Sequence, residues 1–239
     1  MIAAIVRILY FIKNNFAKSN KSFVVVKNIL KKAVYINICT IFAFMTPERN
    51  DRLNAVLDKR QLNLTIVFEN VSDPHNISAV MRTCDAVGIQ EIYILNTVMS
   101  THKKWSAKSS SSAAKWLTIH QFTDVQSCFE ALRKKYNKIY TTHLSTDAVD
   151  LYDMDLTENI ALIFGNEHSG VSEELIGLAD GNFIIPQVGI IKSLNISVAC
   201  AVTLYEAFRQ KTIAGHYLQP QISGIELETL RASWGFLDE

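Results

Sequence analysis

Residues 162–175 read LIFGNEHSGVSEEL, and residues 179–199 read ADGNFIIPQVGIIKSLNISVA. In the first, an apolar run from Leu162 to Phe164 passes straight into Gly165-Asn166-Glu167-His168-Ser169-Gly170. In the second, the apolar run Phe183 to Ile185 stops at Pro186. The Gly-containing loop after it ends in Ser193-Leu194-Asn195, at the start of an apolar helix pattern. Short apolar runs that end in Gly and polar residues read as buried strands of an open α/β sheet, and the loops leaving such strands are where these sheets hold ligands. The two stretches therefore predict a fold class and the edge at which something is bound.

The same alternation extends outward. Pro47 to Lys59 is an amphipathic helix pattern with Leu53, Val56 and Leu57 on one side, Thr46 as N-cap and Pro47 at the first position. Leu64 to Phe68 is a buried strand ending in Glu69-Asn70. Asp73-Pro74 opens a helix that runs to about Val87 and stops at Gly88. Glu91 to Leu95 and Lys138 to Thr142 are strands, separated by a polar stretch (Asn96 to Lys115) and a helix (Asp124 to Lys135). Ile160 to Phe164 and Asn182 to Ile185 are strands around a short helix, Glu173 to Leu178. Asn195 to Gln210 is the last core helix, and Glu226 to Trp234 forms a final short one beyond Gly215, Pro220 and Gly224. Strands alternating with helices predict an α/β fold: a mostly parallel sheet covered by helices on both faces.

With 239 residues and 49% hydrophobic content, the chain can bury one sizeable core plus appendages. Its net charge of +1 is unevenly spread. Residues 1–44 carry seven Lys/Arg and no Asp or Glu, which leaves 17 Lys/Arg against 23 Asp/Glu in residues 45–239, a net of −6. A nucleic-acid partner of the globular part therefore needs a local basic patch. Two candidates exist. Lys103, Lys104, Lys108 and Lys115 interleave with Trp105, Trp116 and a serine run, which reads as a solvated loop or as an RNA-backbone contact. Arg49, Arg52, Lys59 and Arg60 cluster on the first helix. Trp234 and Phe236 read as docked anchors or as an RNA-facing surface.

Cys39, Cys84, Cys128 and Cys200 form no C-x-x-C pair, which speaks against a zinc site or a disulfide framework and fits a reducing cytoplasm. No histidine pair has metal-ligand spacing, so no metal is expected. The apolar runs MIAAIVRILYFI and AVYINICTIFAF are each about twelve residues, short of the roughly 20 that a spanning helix needs. No cleavage site follows the first. At Met45 the character changes abruptly, so Met45 is expected to be the functional start, with residues 1–44 an upstream extension. A peripheral membrane anchor is the alternative reading.

Three segments carry the candidate chemistry. In Glu69 to Thr83 a capped helix accounts for most residues, but not for Asn76 in its first turn or Arg82 within an otherwise apolar, small-residue pattern. A helix N-terminus with a nearby guanidinium suits an anion or phosphate. Gly165 to Gly170 is neither G-x-S-x-G, since Glu167 stands two before Ser169, nor a dinucleotide or P-loop glycine fingerprint. Its Glu167 holds a carboxylate close to whatever the backbone cradles. Ser193 or Asn195 serves as an N-cap, or faces a ligand.

In this order, NVSDPHNISAVMRTCDAVG, LIFGNEHSGVSEE and IIPQVGIIKSLNISVACAVTLYEA resemble the three motifs of the SpoU family of RNA ribose 2′-O-methyltransferases, within the SPOUT superfamily. The likeness covers nearly all of residues 45–239 and leaves residues 1–44 outside it. It implies a deep C-terminal trefoil knot, an exception to the rule against knotted chains. It implies S-adenosylmethionine as methyl donor, held by Thr142, Gly165, Asn166, Gly170, Ile185 and Leu194, with Asn76, Arg82, Glu167, Ser193 and Asn195 forming the catalytic site. It further implies a homodimer whose site draws on both subunits. The expected organisation is an extension (1–44), a knotted methyltransferase domain (45–213) and a tail (214–239). One departure stands at Ser109-Ser110-Ser111-Ser112-Ala113-Ala114, where close relatives tend to have Gly.

The activity implied is methyl transfer to a tRNA 2′-hydroxyl, at guanosine 18 of the D-loop, in the cytoplasm, with no membrane partner for residues 45–239. The alternatives are an enzyme acting on ribosomal RNA and a catalytically silent RNA-binding relative. Arg82 is the family's proposed base, which its very high reference pKa makes unusual. The other arrangement has Arg82 orienting and Ser193 or a water accepting the proton.

Overall fold

The computed structural model describes residues 46–98 and 113–236. The expectations on residues 1–44, on Lys103, Lys104, Trp105 and Lys108, and on Ser109 to Ser112 lie outside the described residues. One compact unit spans Asp51–Glu239. Along the chain come α1 (Pro47–Leu57), β1 (Leu64–Glu69), α2 (Pro74–Ala86), β2 (Glu91–Leu95), β3 (Thr118–Phe122), α3 (Val125–Arg133) and β4 (Lys138–Thr142). Then follow β5 (Val149–Asp150), β6 (Ile160–Phe164), α4 (Glu173–Leu178), β7 (Gly181–Ile184), α5 (Ile196–Ile213) and α6 (Gly224–Trp234).

The strands form a seven-stranded sheet in the order β3-β2-β1-β6-β4-β7-β5, and every pairing is parallel. Its central strands β1, β2 and β6 are buried along their whole length, as a sheet covered on both faces requires. Leu64, Ile66 and Phe68 of β1 join Ile77, Val80, Met81 and Cys84 of α2 and Cys200, Leu204 and Ala207 of α5 in one core. Val67, Tyr93, Ile139 and Ile163 meet Cys128, Phe129 and Leu132 of α3 and Leu175 of α4 in the other. The buried thiols of Cys84, Cys128 and Cys200 are part of this packing. Among the described residues no helix is long and apolar enough to cross a membrane.

Caps set the helix starts. Asp73 accepts from His75 N–H with Pro74 at the first position of α2, and Asn195, rather than Ser193, caps α5 by accepting from Ser197 N–H at 2.8 Å. Two strands escape the sequence reading. β3, TIHQF, is a half-buried edge strand whose His and Gln hide its pattern; only pairing with β2 and the stacking of Tyr93 on His120 (4.4 Å between ring centroids) reveal it. β5 is two residues long and forms the other edge.

The basic cluster on the first helix is only partly a surface feature. α1 stops at Leu57, two residues short of the expected end, and the chain turns so that Arg60 is fully buried. Its guanidinium pairs with Asp85, donates to Ile89 O and lies 5.1 Å from the Trp234 ring. Arg60 is therefore corrected from an RNA-backbone contact to a docking point. Trp234 is buried there, edge-on to Trp116 at 5.2 Å, which fastens α6 and is the docked reading of that tryptophan. Lys59 Nζ donates to Tyr217 O at 2.6 Å. Arg49, Arg52 and Lys115 are exposed.

Candidate active site

In a parallel sheet all strands leave at one edge, and here three neighbouring exits, those of β6, β4 and β7, open a cavity of about 600 Å³. Thr142 follows from β4, Phe164 to Val171 from β6, and Ile184 to Gln187 from β7, while Lys192 to Ile196 and Ala199 close it from the start of α5. All six residues expected to hold the methyl donor (Thr142, Gly165, Asn166, Gly170, Ile185 and Leu194) line this one cavity.

The loop after β6 owes its shape to its glycines. Asn166 N–H donates to Gly170 O at 3.0 Å and Gly170 N–H returns to Asn166 O at 2.9 Å, closing a tight ring of backbone. A Cβ on Gly165 would sit 2.1 Å from the Gly170 carbonyl carbon, and Gly170 itself has φ +71°, so a side chain is excluded at the first and strained at the second. Inside the ring, Asn166 Oδ1 accepts from His168 N–H (2.8 Å) and Ser169 N–H (3.2 Å), while its Nδ2 reaches Asn70 O at 2.7 Å.

Glu167 points away from that ring toward the start of α2. Oε2 accepts from Ser72 N–H (3.0 Å) and Ser72 Oγ–H (2.8 Å); Oε1 accepts from Asp73 N–H (3.3 Å) and Asn76 Nδ2 (3.0 Å). Partial burial pushes this carboxyl's pKa up, but the donors from Ser72 and Asn76 outweigh it and hold the pKa at about 2. A carboxylate so saturated is a clamp rather than a proton acceptor. Its donors come from Ser72, Asp73 and Asn76, so a carboxylate of the chain itself is seated beside the start of α2. Asn76 passes the connection on, its Oδ1 accepting from Asn195 Nδ2 at 3.3 Å. Glu167, Asn76 and Asn195 thus tie β6, α2 and α5 together beside the cavity.

The remaining two expected residues differ. Ser193 lines the cavity and is exposed. Arg82 is exposed on α2 and does not line the cavity, and its side chain has no hydrogen bond or ion pair among the described residues. Sequence reasoning passed over Ser72, which gives Glu167 two of its four bonds, and Glu69, whose buried carboxylate accepts from Ser172 N–H at 2.8 Å. The one available signal for Ser72 was its place just before a capped helix. Among the described residues no group of three or more His, Cys, Asp or Glu gathers to hold a metal.

The SpoU rRNA Methylase family matches residues 63–205 of this sequence. The chain belongs to that family. Among its relatives, the tRNA (guanosine(18)-2′-O)-methyltransferase of Thermus thermophilus is 40% identical over 189 residues, 79% of this chain and 96% of the relative. The crystal structure of the A. aeolicus TrmH/SpoU tRNA modifying enzyme superposes with a TM-score of 0.73 at 36% identity, covering 79% of this chain and 95% of that one. An AdoMet-bound rRNA methyltransferase from Sinorhizobium meliloti superposes with a TM-score of 0.57 at 25% identity, covering 64% of this chain and 58% of that one. The stretch shared with the SpoU family runs from β1 into α5 and so contains every residue of the cavity and the Glu167 clamp.

Proposed function

We propose that this SpoU chain transfers a methyl group from S-adenosylmethionine to a tRNA 2′-hydroxyl, at guanosine 18. The observation that carries the reading is the strand-exit cavity with the Asn76–Glu167–Asn195 link at its rim, in a chain 40% identical to a tRNA (guanosine(18)-2′-O)-methyltransferase across 96% of that relative.

The residues present fit the donor. The cavity volume lies within the roughly 300–1,000 Å³ of ligand sites, and the Gly165–Gly170 ring brings bare backbone to its wall. Thr142, Ile185 and Leu194 supply a mixed apolar and hydroxyl lining. When bound, S-adenosylmethionine supplies an electrophilic methyl on a sulfonium. The chain's own part is alignment and removal of one proton from the 2′-hydroxyl. Glu167 stays ionised and immobile and keeps Asn76 turned toward Asn195. Arg82 orients the acceptor nucleotide, with the hydroxyl proton passing to Arg82 itself, to Ser193 or to a water.

We further propose a homodimer with a site completed by a second copy. Support comes from Arg82, which stands outside the cavity of its own chain, and from exposed Val198, Tyr205 and Phe208 on α5 beside exposed Val188, Ile190 and Ile191 in the loop before it. A trefoil knot is proposed for the C-terminal part, supported by an order in which late strands β6 and β7 lie between earlier ones. A cytoplasmic location is proposed along with the tRNA substrate, supported by likeness to tRNA methyltransferases.

Methyl transfer from labelled S-adenosylmethionine to unmodified tRNA, followed by mapping of the modified nucleotide, tests the reading. Label at guanosine 18 is expected. Label in ribosomal RNA and none in tRNA would move the assignment to an rRNA methyltransferase.

A further inference from the structure

Every residue from Gly165 to Val171 lines the cavity, so the loop after β6 is one wall of it. Strand pairing fixes where that loop begins, since β6 is held between β1 and β4 with Phe164 opposite Phe68. Beyond Phe164 the chain has left the sheet, and the Asn166–Gly170 ring gives the loop a shape without giving it a place. Two adjacent residues at the exit of β1 supply the place, one at each end of the loop. At the near end Asn166 Nδ2 donates to the Asn70 carbonyl at 2.7 Å. At the far end Ser172, the N-cap of α4, donates its N–H to Glu69 Oε2 at 2.8 Å. Neither Glu69 nor Asn70 lines the cavity.

Both residues are held in ways that cost free energy. Glu69 is 2% exposed, and a buried carboxylate is unfavourable unless donors meet it. Asn70 has φ +50°, the only positive φ at a non-glycine residue among the described residues. Asparagine tolerates that conformation better than most side chains. Its amide bonds Thr97 and Val98, and its carbonyl is the group that meets the loop.

We infer that Glu69 and Asn70 are positioning residues for the methyl donor: acting through Ser172 and Asn166, they hold both ends of the cavity-lining loop and so set the affinity of the cavity for S-adenosylmethionine. The inference rests on the proposed donor and adds two residues that act on it without touching it.

Paired substitutions at each position test this on full-length protein without RNA. The readouts are S-adenosylmethionine Kd by calorimetry, under conditions where circular dichroism shows the variant folded, and the urea midpoint. Glu69→Ala removes the acceptor of Ser172, whereas Glu69→Gln keeps an acceptor oxygen. Asn70→Val keeps the carbonyl but puts a β-branched side chain where φ is positive, whereas Asn70→Gly keeps the carbonyl and tolerates that φ. Kd is expected to rise about tenfold in Glu69→Ala and Asn70→Val and to stay within about threefold of wild type in Glu69→Gln and Asn70→Gly. A role in stability alone would lower the urea midpoint and leave Kd of the folded protein unchanged. Unchanged Kd in Glu69→Ala and Asn70→Val, or an equal rise in their conservative partners, would overturn the inference. Should a variant fail to fold, the pair at the other residue decides. A wild-type protein that does not bind S-adenosylmethionine overturns the donor reading and this inference with it, whereas wild-type binding with unchanged variants overturns this inference alone.

Discussion

At the edge where strands leave the sheet, the partly buried carboxylate of Glu167 meets four donors from Ser72, Asp73 and Asn76 and faces a cavity. At the edge where strands begin, two cations, Arg60 and Lys211, are fully buried with few partners. Arg60 has Asp85, Ile89 O and the Trp234 ring; among the described residues its Nε has no hydrogen-bond partner. Lys211 Nζ donates to Asn63 Oδ1 at 2.8 Å, and burial pushes its pKa down to about 8 against the attraction of Asp155. At the exit edge four donors saturate the Glu167 carboxylate and fix its place beside the cavity. At the start edge buried charges with fewer partners fasten α6 and the end of α5, away from the cavity.

If that division is right, substitutions at the exit edge change turnover and those at the start edge change stability. Arg82→Ala should cost most, lowering kcat by about a thousandfold, within the range for a lost proton-transfer or orienting group. Calorimetry should find S-adenosylmethionine binding unchanged in that variant, since Arg82 does not line the cavity. Near-normal turnover would remove Arg82 from the mechanism.

Glu167→Gln should follow. An amide cannot accept from all four donors, so the Asn76–Asn195 link shifts and kcat falls about a hundredfold, as small misplacements do. Stability should drop by roughly 3 kcal/mol through unpaired Ser72 and Asp73 groups. Acid titration sharpens the point. The folded pKa of about 2 lies below the ordinary 4.5, so the Glu167 contribution is complete above pH 4.5 and is lost as pH falls toward 2. Denaturant unfolding between pH 5 and pH 3 should show a shallower decline for Glu167→Gln than for wild type.

Trp234→Ala tests the start edge. Loss of its contacts with Arg60 and Trp116 should cost about 3 kcal/mol of unfolding free energy, measured by urea denaturation, with kcat within about twofold of wild type because the cavity is at the other edge. A large fall in kcat with intact stability would break the comparison.

The smallest effect belongs to Lys211→Met. At pH 7 its stability should stay within about 1 kcal/mol of wild type, because the lost bond to Asn63 is offset by relief of a buried charge. The folded pKa of about 8 lies below the ordinary 10.5, so the unfolded chain binds more protons between those values, and wild-type stability gains from this group as pH rises from 8 to 10.5. The methionine variant should lack that gain, as chemical denaturation at pH 7 and pH 9.5 would show.

Much of this was legible in the sequence for local reasons. Glu91 to Leu95, Lys138 to Thr142, Ile160 to Phe164 and Glu173 to Leu178 are read with their observed boundaries, because each is a short apolar run or a Ser-capped turn bounded by breakers. β3 was not legible, since His120 and Gln121 gain their strand character only beside β2. The Arg60 expectation failed for the same reason. Four cations near one helix look alike in sequence, and Asp85 and Trp234, which draw one of them inside, lie 25 and 174 residues further on.

By itself, then, the sequence determined a parallel α/β sheet, its capped helices and the two loops that line the cavity, because periodicity, caps and glycine turns act over a few residues. The tertiary structure alone decided that β6 inserts between β1 and β4, which brings Glu167 to Ser72 and Asn76, more than ninety residues away in the chain. It also decided that Arg60 is core. Such contacts depend on which distant donors and acceptors meet once the sheet has formed, and no local pattern encodes them.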